Sequence, residues 1–213
     1  PLYSSAASDV YKRQILHECS VEVEKGELAV IVGPNGAGKS TVMRVLLGML
    51  NATSGSVSLD GRDISALSTQ DRISEGLAFV PQTKNVFPSM TVEENLQMGG
   101  FIRQDDINQT IEEVYSLFPI LYEKRKQLAE QLSGGQRQQV AFGRAMMTKP
   151  SIMLLDEPTA GVSPIVMDEI FSNILDVKNA GMAVLMVEQN AQQALNIADK
   201  GYVLVSGRNE HSG

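Results

Sequence analysis

The apolar positions of this chain fall into short runs that alternate with longer periodic stretches. Leu28–Val32, Leu77–Val80, Ile152–Leu155, Ala183–Val187 and Tyr202–Val205 are short and mostly apolar, several on successive residues. That is the pattern of strands buried on both faces. Between them, Ser40–Leu50, Val92–Phe101, Ile107–Phe118, Gln136–Met147, Pro164–Asn179 and Ala191–Ala198 read as helices. Strands alternating with helices predict an α/β fold built on a mainly parallel sheet. Ser56–Leu59, Asp60-Gly61 and Arg62–Ile64 read as a flanking antiparallel β piece, with Asp-Gly supplying the turn. From about Val86 to Lys126 there is no strand signal, which predicts a helical subdomain, about 86–150, inserted in the core.

The ends break the pattern. Pro1–Gln14 has neither period and no initiator Met, and Ser4–Gln14 resembles translated sequencing-adapter DNA. Residues 1–14 are therefore expected to be non-native or disordered, with the first core strand missing. Arg208–Gly213 continues the last strand poorly and is expected to be a truncated or irregular tail. Residues 15–207 are left as a single domain, a size that supports one sizeable core.

Composition narrows the class. The 25 acidic and 18 basic residues give a formal charge of −7, which opposes nucleic-acid binding. No apolar stretch approaches the roughly 20 residues that span a bilayer, and no signal-peptide segment opens the chain. The one cysteine, Cys19, allows no internal disulfide, and two histidines offer no Cys/His zinc cluster. The expectation is a soluble, cytosolic globular protein.

Chemistry enters at Gly33-Pro34-Asn35-Gly36-Ala37-Gly38-Lys39-Ser40-Thr41, which fits G-x-x-x-x-G-K-[ST] directly between a predicted strand and a predicted helix. Glycines let the backbone wrap a phosphate with its N–H groups inward, and the helix N-terminus adds a positive dipole end. Lys39 is suited to β/γ-phosphate oxygens and the Ser40 hydroxyl to Mg²⁺, which makes ATP with Mg²⁺ the expected ligand. Ile152–Leu155 ends in Asp156 and Glu157. A buried strand brings both carboxylates to its C-terminal tip, where parallel sheets bind ligands. Asp156 is the candidate Mg²⁺ partner of Ser40, and Glu157 the candidate general base for an attacking water.

Leu132-Ser133-Gly134-Gly135-Gln136 makes the reading specific, because it resembles the signature of the ABC-type ATPases. Ser133 and Gln136 also fit a capping box that opens the following helix. The resemblance runs from Ile15 to Gly207 with every motif in order, and it implies the ABC ATPase fold. It further implies that Ser133, Gly134, Gly135 and Gln136 face the γ-phosphate of an ATP held by a second subunit. Gln82, in Phe79-Val80-Pro81-Gln82, matches the family's Q-loop glutamine, a sensor of Mg²⁺ and the attacking water.

Three departures from the family pattern stand out. Gln189 occupies the place of the usual histidine, so it can donate a hydrogen bond to the γ-phosphate but carries no imidazolium charge. The D-loop aspartate is absent from Ala160-Gly161-Val162-Ser163-Pro164, although Ser163 and Pro164 still suit a helix start. Tyr11 lies near the position of the adenine-stacking aromatic, but inside the suspect segment, and is set aside.

Gly161–Pro164, Val187–Asn190 and Ala198–Leu204 resemble the LivF-type ATPases of bacterial branched-chain amino-acid importers. The ATPases of urea and amide importers share much of this pattern and are the alternative. The LivF-type resemblance implies a second, related but different cassette, two transmembrane permease subunits and, indirectly, a periplasmic solute-binding protein. It also implies a place on the cytoplasmic face of the bacterial inner membrane. A non-transport ABC ATPase fits less well, since Lys39 and Ser133 are 94 positions apart with no heptad run between them. A small-molecule kinase leaves Leu132–Gln136 unexplained.

Overall fold

The computed structural model describes residues 3–10 and 13–213, with side chains from Ile15 onward. The first half contains β1 (Tyr3–Val10), β2 (Arg13–Gln14), β3 (Cys19–Val21), β4 (Leu28–Val32), α1 (Lys39–Leu46), β5 (Ala52–Ser54), β6 (Val57–Leu59), β7 (Arg62–Asp63), α2 (Thr69–Ser74) and β8 (Leu77–Val80). Then follow α3 (Val92–Gly99), α4 (Asn108–Leu117), α5 (Pro119–Glu123), a 3-10 turn Ala129–Gln131, and α6 (Gly134–Met146). The chain continues through β9 (Ile152–Asp156), α7 (Pro164–Asn179), β10 (Ala183–Glu188), α8 (Ala191–Ile197), β11 (Lys200–Val205) and β12 (Arg208–Ser212).

The five aliphatic runs all lie in one sheet of order β12-β11-β4-β10-β9-β8, parallel throughout except for β12. Both faces are covered, and successive residues feed opposite cores. Leu28, Val30 and Val32 of β4, with Val184 and Met186 of β10, face the core shared with α3, α6 and α7. Ala29, Ile31, Leu185 and Val187 face the other core, which holds Val42, Met43, Val45 and Leu46 of α1. Runs without polar interruption are the sequence trace of this two-sided burial.

A smaller antiparallel sheet joins β1, β2, β6 and β7, with β3 and β5 pairing β1. The Asp60-Gly61 turn joins β6 to β7 with φ of 49° and 78°. All named elements between β8 and β9 are helical.

Two expectations about the ends are corrected. Tyr3–Val10 lacks strand periodicity, yet its backbone forms β1; ladders to β3, β5 and β6 supply the order that the side-chain pattern does not. Arg208–Ser212 is a strand rather than an irregular tail. Ser206 and Gly207, at φ 46° and 79°, turn the chain back so that β12 pairs antiparallel with β11.

Helix α1 stops at Leu46, short of the expected Leu50, and the cause is local. Gly48 takes φ 73°, while Met49 and Leu50 N–H both return to the Arg44 carbonyl. Arg72, only 3% exposed, donates to the Val45 and Leu46 carbonyls at 2.8 and 2.7 Å and to those of Ser65 and Leu67 at 2.7 and 3.1 Å. A guanidinium at a helix C-terminus satisfies otherwise unpaired carbonyls and complements the dipole. Arg72 therefore anchors the helix that carries Lys39 and Ser40.

Candidate functional site

The loop from Gly33 to Gly38 leaves the C-terminal end of β4 and enters α1. Gly36 and Gly38 have φ of 80° and 104°, a region that side chains with Cβ rarely enter. A Cβ on Gly33 would collide with the Leu204 carbonyl. The loop is braced from outside as well: Gly207 N–H donates to the Ala37 carbonyl at 2.8 Å. Lys39, 5% exposed, donates from Nζ to the Gly33 carbonyl at 2.7 Å and the Pro34 carbonyl at 3.3 Å. Its ammonium thus closes the loop on itself and keeps one donor in reserve. The cavity beside it, about 240 Å³, is lined by Ile15, Asn35–Thr41 and Glu157.

Asp156 and Glu157 stand at the tip of β9, and β10 lies between that tip and the phosphate loop. Burial raises the Asp156 carboxyl above its ordinary value, the neighbouring Glu157 raises it further, and Arg44 and Lys39 pull it down. A half-buried carboxylate held up in this way gains from a cation placed against it. Among the described residues no cluster of three or more His, Cys, Asp or Glu could cage a metal alone. Mg²⁺ does not need one, because it binds through one or two carboxylates together with substrate phosphates and water. Asp156, the exposed Ser40 hydroxyl and Gln82 are a donor set of that kind.

Glu157 has φ 45°, which costs a non-glycine residue about 1–2 kcal/mol. Its N–H donates to the Val187 carbonyl at 2.9 Å, and its carbonyl accepts from Ala160 N–H at 3.1 Å; these bonds hold the strained turn. Its carboxylate accepts from Gln82 Nε2 at 3.2 Å, so the loop after β8 reaches the tip of β9. Gln189 follows β10 directly and is exposed. Its backbone N–H donates to Glu188 Oε2 at 3.0 Å.

The signature segment behaves as its capping box predicts. Ser133 Oγ accepts from Gln136 N–H, and Gln136 Oε1 accepts from Ser133 N–H, both at 3.2 Å. The phosphate-loop cavity includes none of Ser133, Gly134, Gly135 or Gln136. The fold thus gathers Lys39, Ser40 and Glu157 around one cleft, joins Gln82 to Glu157 by its hydrogen bond, and leaves the signature apart. Tyr11 lies outside the described residues. Sequence reasoning missed two neighbours of the site. Ile15 lines the cleft, with no motif to flag it. Glu188 was legible only as an acid ending an apolar strand.

A phosphate loop facing an acidic strand tip across a parallel sheet defines a P-loop nucleotide-binding protein. The chain belongs to the ABC transporter family, whose sequence profile matches residues 16–160. It is 46% identical over 198 residues to the high-affinity branched-chain amino acid transport ATP-binding protein BraG of Pseudomonas aeruginosa, covering 92% of this chain and 85% of that one. It is 40% identical to the branched-chain amino acid transport ATP-binding protein LivF of Archaeoglobus fulgidus, covering 91% and 83%. A crystal structure of an ATP-binding cassette of an ABC transporter in its ADP conformation superimposes with a TM-score of 0.91 at 30% identity, over all of this chain and 89% of that one. The fold is the ABC ATPase fold, and the family binds and hydrolyses nucleotide.

Proposed function

We propose that this chain is the ATP-binding and hydrolysing subunit of a bacterial ABC importer for branched-chain amino acids. The observation that carries the reading is the meeting of a complete phosphate loop with Asp156, Glu157 and Gln82 in a chain 46% identical to BraG. Gly33–Gly38 and Lys39 hold the phosphates, with Thr41 on the first turn beside Ser40. Ser40, Gln82 and Asp156 would hold Mg²⁺, which neutralises phosphate charge when bound. Glu157 takes a proton from the attacking water. Gln189 donates to the γ-phosphate through its side-chain amide. Ser133–Gln136 meet the ATP of a second cassette, related but different, so that two nucleotides close the pair.

Residues 15–207 act as one ATPase domain with the helical insert at about 86–150. That insert passes the closing motion to two permease subunits, which a periplasmic binding protein supplies with solute. The subunit works at the cytoplasmic face of the inner membrane, and among the described residues no helix is long and apolar enough to cross a membrane.

The test has two arms. ATP binding and turnover by the purified chain should be lost in Lys39→Ala; turnover unaffected by that change would refute the site. Affinity capture from native membranes should recover permease subunits, and uptake of leucine, isoleucine or valine should depend on the gene. Uptake of urea in their place would move the chain to the urea importers.

A further inference from the structure

Strand β10 is flanked by β4 and β9, so its C-terminal end stands between the phosphate loop and the Asp156–Glu157 tip. Glu188 is the last residue of that strand and is 2% exposed. Three donors fill its carboxylate. Oε1 accepts from the Thr159 N–H at 3.0 Å and the Thr159 hydroxyl at 2.7 Å, while Oε2 accepts from the Gln189 N–H at 3.0 Å. Thr159 is itself 3% exposed. All three donors are neutral. Among the described residues no cation is paired with it; a buried carboxylate so placed is a costly way to end a strand, and an apolar side chain would satisfy packing alone.

What the carboxylate achieves is a bridge. One oxygen holds the loop that carries Glu157, and the other holds the loop that carries Gln189. A second link, Glu157 N–H to the Val187 carbonyl at 2.9 Å, ties the Glu157 loop to β10 one residue before Glu188. The loop that keeps Glu157 at φ 45° is thereby fixed to β10 at two points, and the Gln189 loop at one.

We infer that Glu188 is a positioning residue that sets the separation of Glu157 and Gln189 on either side of the terminal phosphate, with Thr159 as its partner. It touches no substrate and acts only through the two loops. The inference rests on the roles proposed above for Glu157 and Gln189.

The test is Glu188→Gln in the full chain. A carboxamide offers one acceptor where the carboxylate offers two, so either Thr159 or Gln189 faces a donor. Turnover should fall about tenfold, part of the roughly hundredfold that a misplacement of about 1 Å can cost. The KM for ATP and equilibrium ATP binding should stay within about twofold, because the phosphate loop is untouched. A Glu188→Gln, Gln189→Ala double variant should lose less than the two single losses combined, because the share of the effect that runs through the Gln189 side chain is already gone. Thr159→Val should lower turnover and Thr159→Ser recover it; this pair carries the test if Glu188→Gln does not fold. Unchanged turnover in both Glu188→Gln and Thr159→Val, additive losses, or a loss of ATP binding would overturn the inference. A wild-type chain that neither binds nor hydrolyses ATP would instead sink the ATPase reading.

Discussion

Gln82 and Glu157, 75 positions apart in sequence, are joined by a hydrogen bond of 3.2 Å from Gln82 Nε2 to Glu157 Oε2. The bond occupies one carboxylate oxygen, and Glu157 also lines the cleft beside Lys39. Glu157→Gln removes the proton acceptor, and turnover should fall at least about a hundredfold, the lower bound for a lost general base. ATP binding should survive, so an ATP-dependent dimer should accumulate in gel filtration. Gln82→Ala leaves the carboxylate in place and should slow turnover less than Glu157→Gln does.

Asp156 gives a prediction with a sign. Its carboxyl is raised in the folded chain, by burial first and by Glu157 next, from an ordinary value of 3.8. A group with a raised folded value favours the fold while protonated, and that contribution is lost as pH rises through the folded value. At neutral pH the ionised Asp156 therefore burdens the nucleotide-free protein. Asp156→Asn should melt at a higher temperature near pH 7, with an advantage that shrinks as pH falls toward 3.8. The same variant should lose Mg²⁺-dependent turnover. Thermal melts across pH, paired with ATPase assays, separate the two effects.

Arg72 should matter to stability well beyond its distance from the chemistry. Truncation to Ala leaves the carbonyls of Val45, Leu46, Ser65 and Leu67 short of a donor around a buried hollow. The loss should be at least about 1–3 kcal/mol, the cost of leaving a buried polar group without its partner. Arg72→Lys should recover little, because an ammonium cannot reproduce the planar fork. Chemical denaturation with a constant m-value checks both variants.

Gly207 and Gly181 make a matched pair. Both have left-handed φ, 79° and 91°, but a Cβ on Gly207 would strike the Ile15 carbonyl while one on Gly181 meets nothing within 4 Å. Gly181→Ala should cost about 1–2 kcal/mol from backbone strain alone and leave ATP affinity unchanged. Gly207→Ala should cost more and also weaken ATP binding, because it displaces the N–H that braces the Ala37 carbonyl. Melting curves and ATP titrations of the two variants give the comparison.

The sequence carried the parallel sheet well, for a physical reason. Residues such as Val30 and Ile31 are both buried, in different cores, and a short unbroken run rich in β-branched residues is the trace such a doubly covered strand leaves. The phosphate loop, the Asp156–Glu157 tip and the Ser133–Gln136 cap were legible because each is a local pattern with a local function. Elements held by distant partners were not. β1 and β12 depend on ladders to remote strands, and α1 ends where it does because Arg72 arrives from 26 positions away. Glu188 escaped for the same reason: its meaning lies in Thr159, 29 positions upstream.

The two carbonyls that Lys39 holds, those of Gly33 and Pro34, bear on how a turnover cycle ends. An ammonium that lost its phosphate oxygens with nothing to replace them would be stranded in a nearly dry niche, and product would leave slowly. In the cycle proposed above, the Gly33 and Pro34 carbonyls are the acceptors left to the ammonium when the nucleotide departs. Emptying the site is then an exchange of acceptors rather than a net loss, and the loop is already shaped for the next nucleotide.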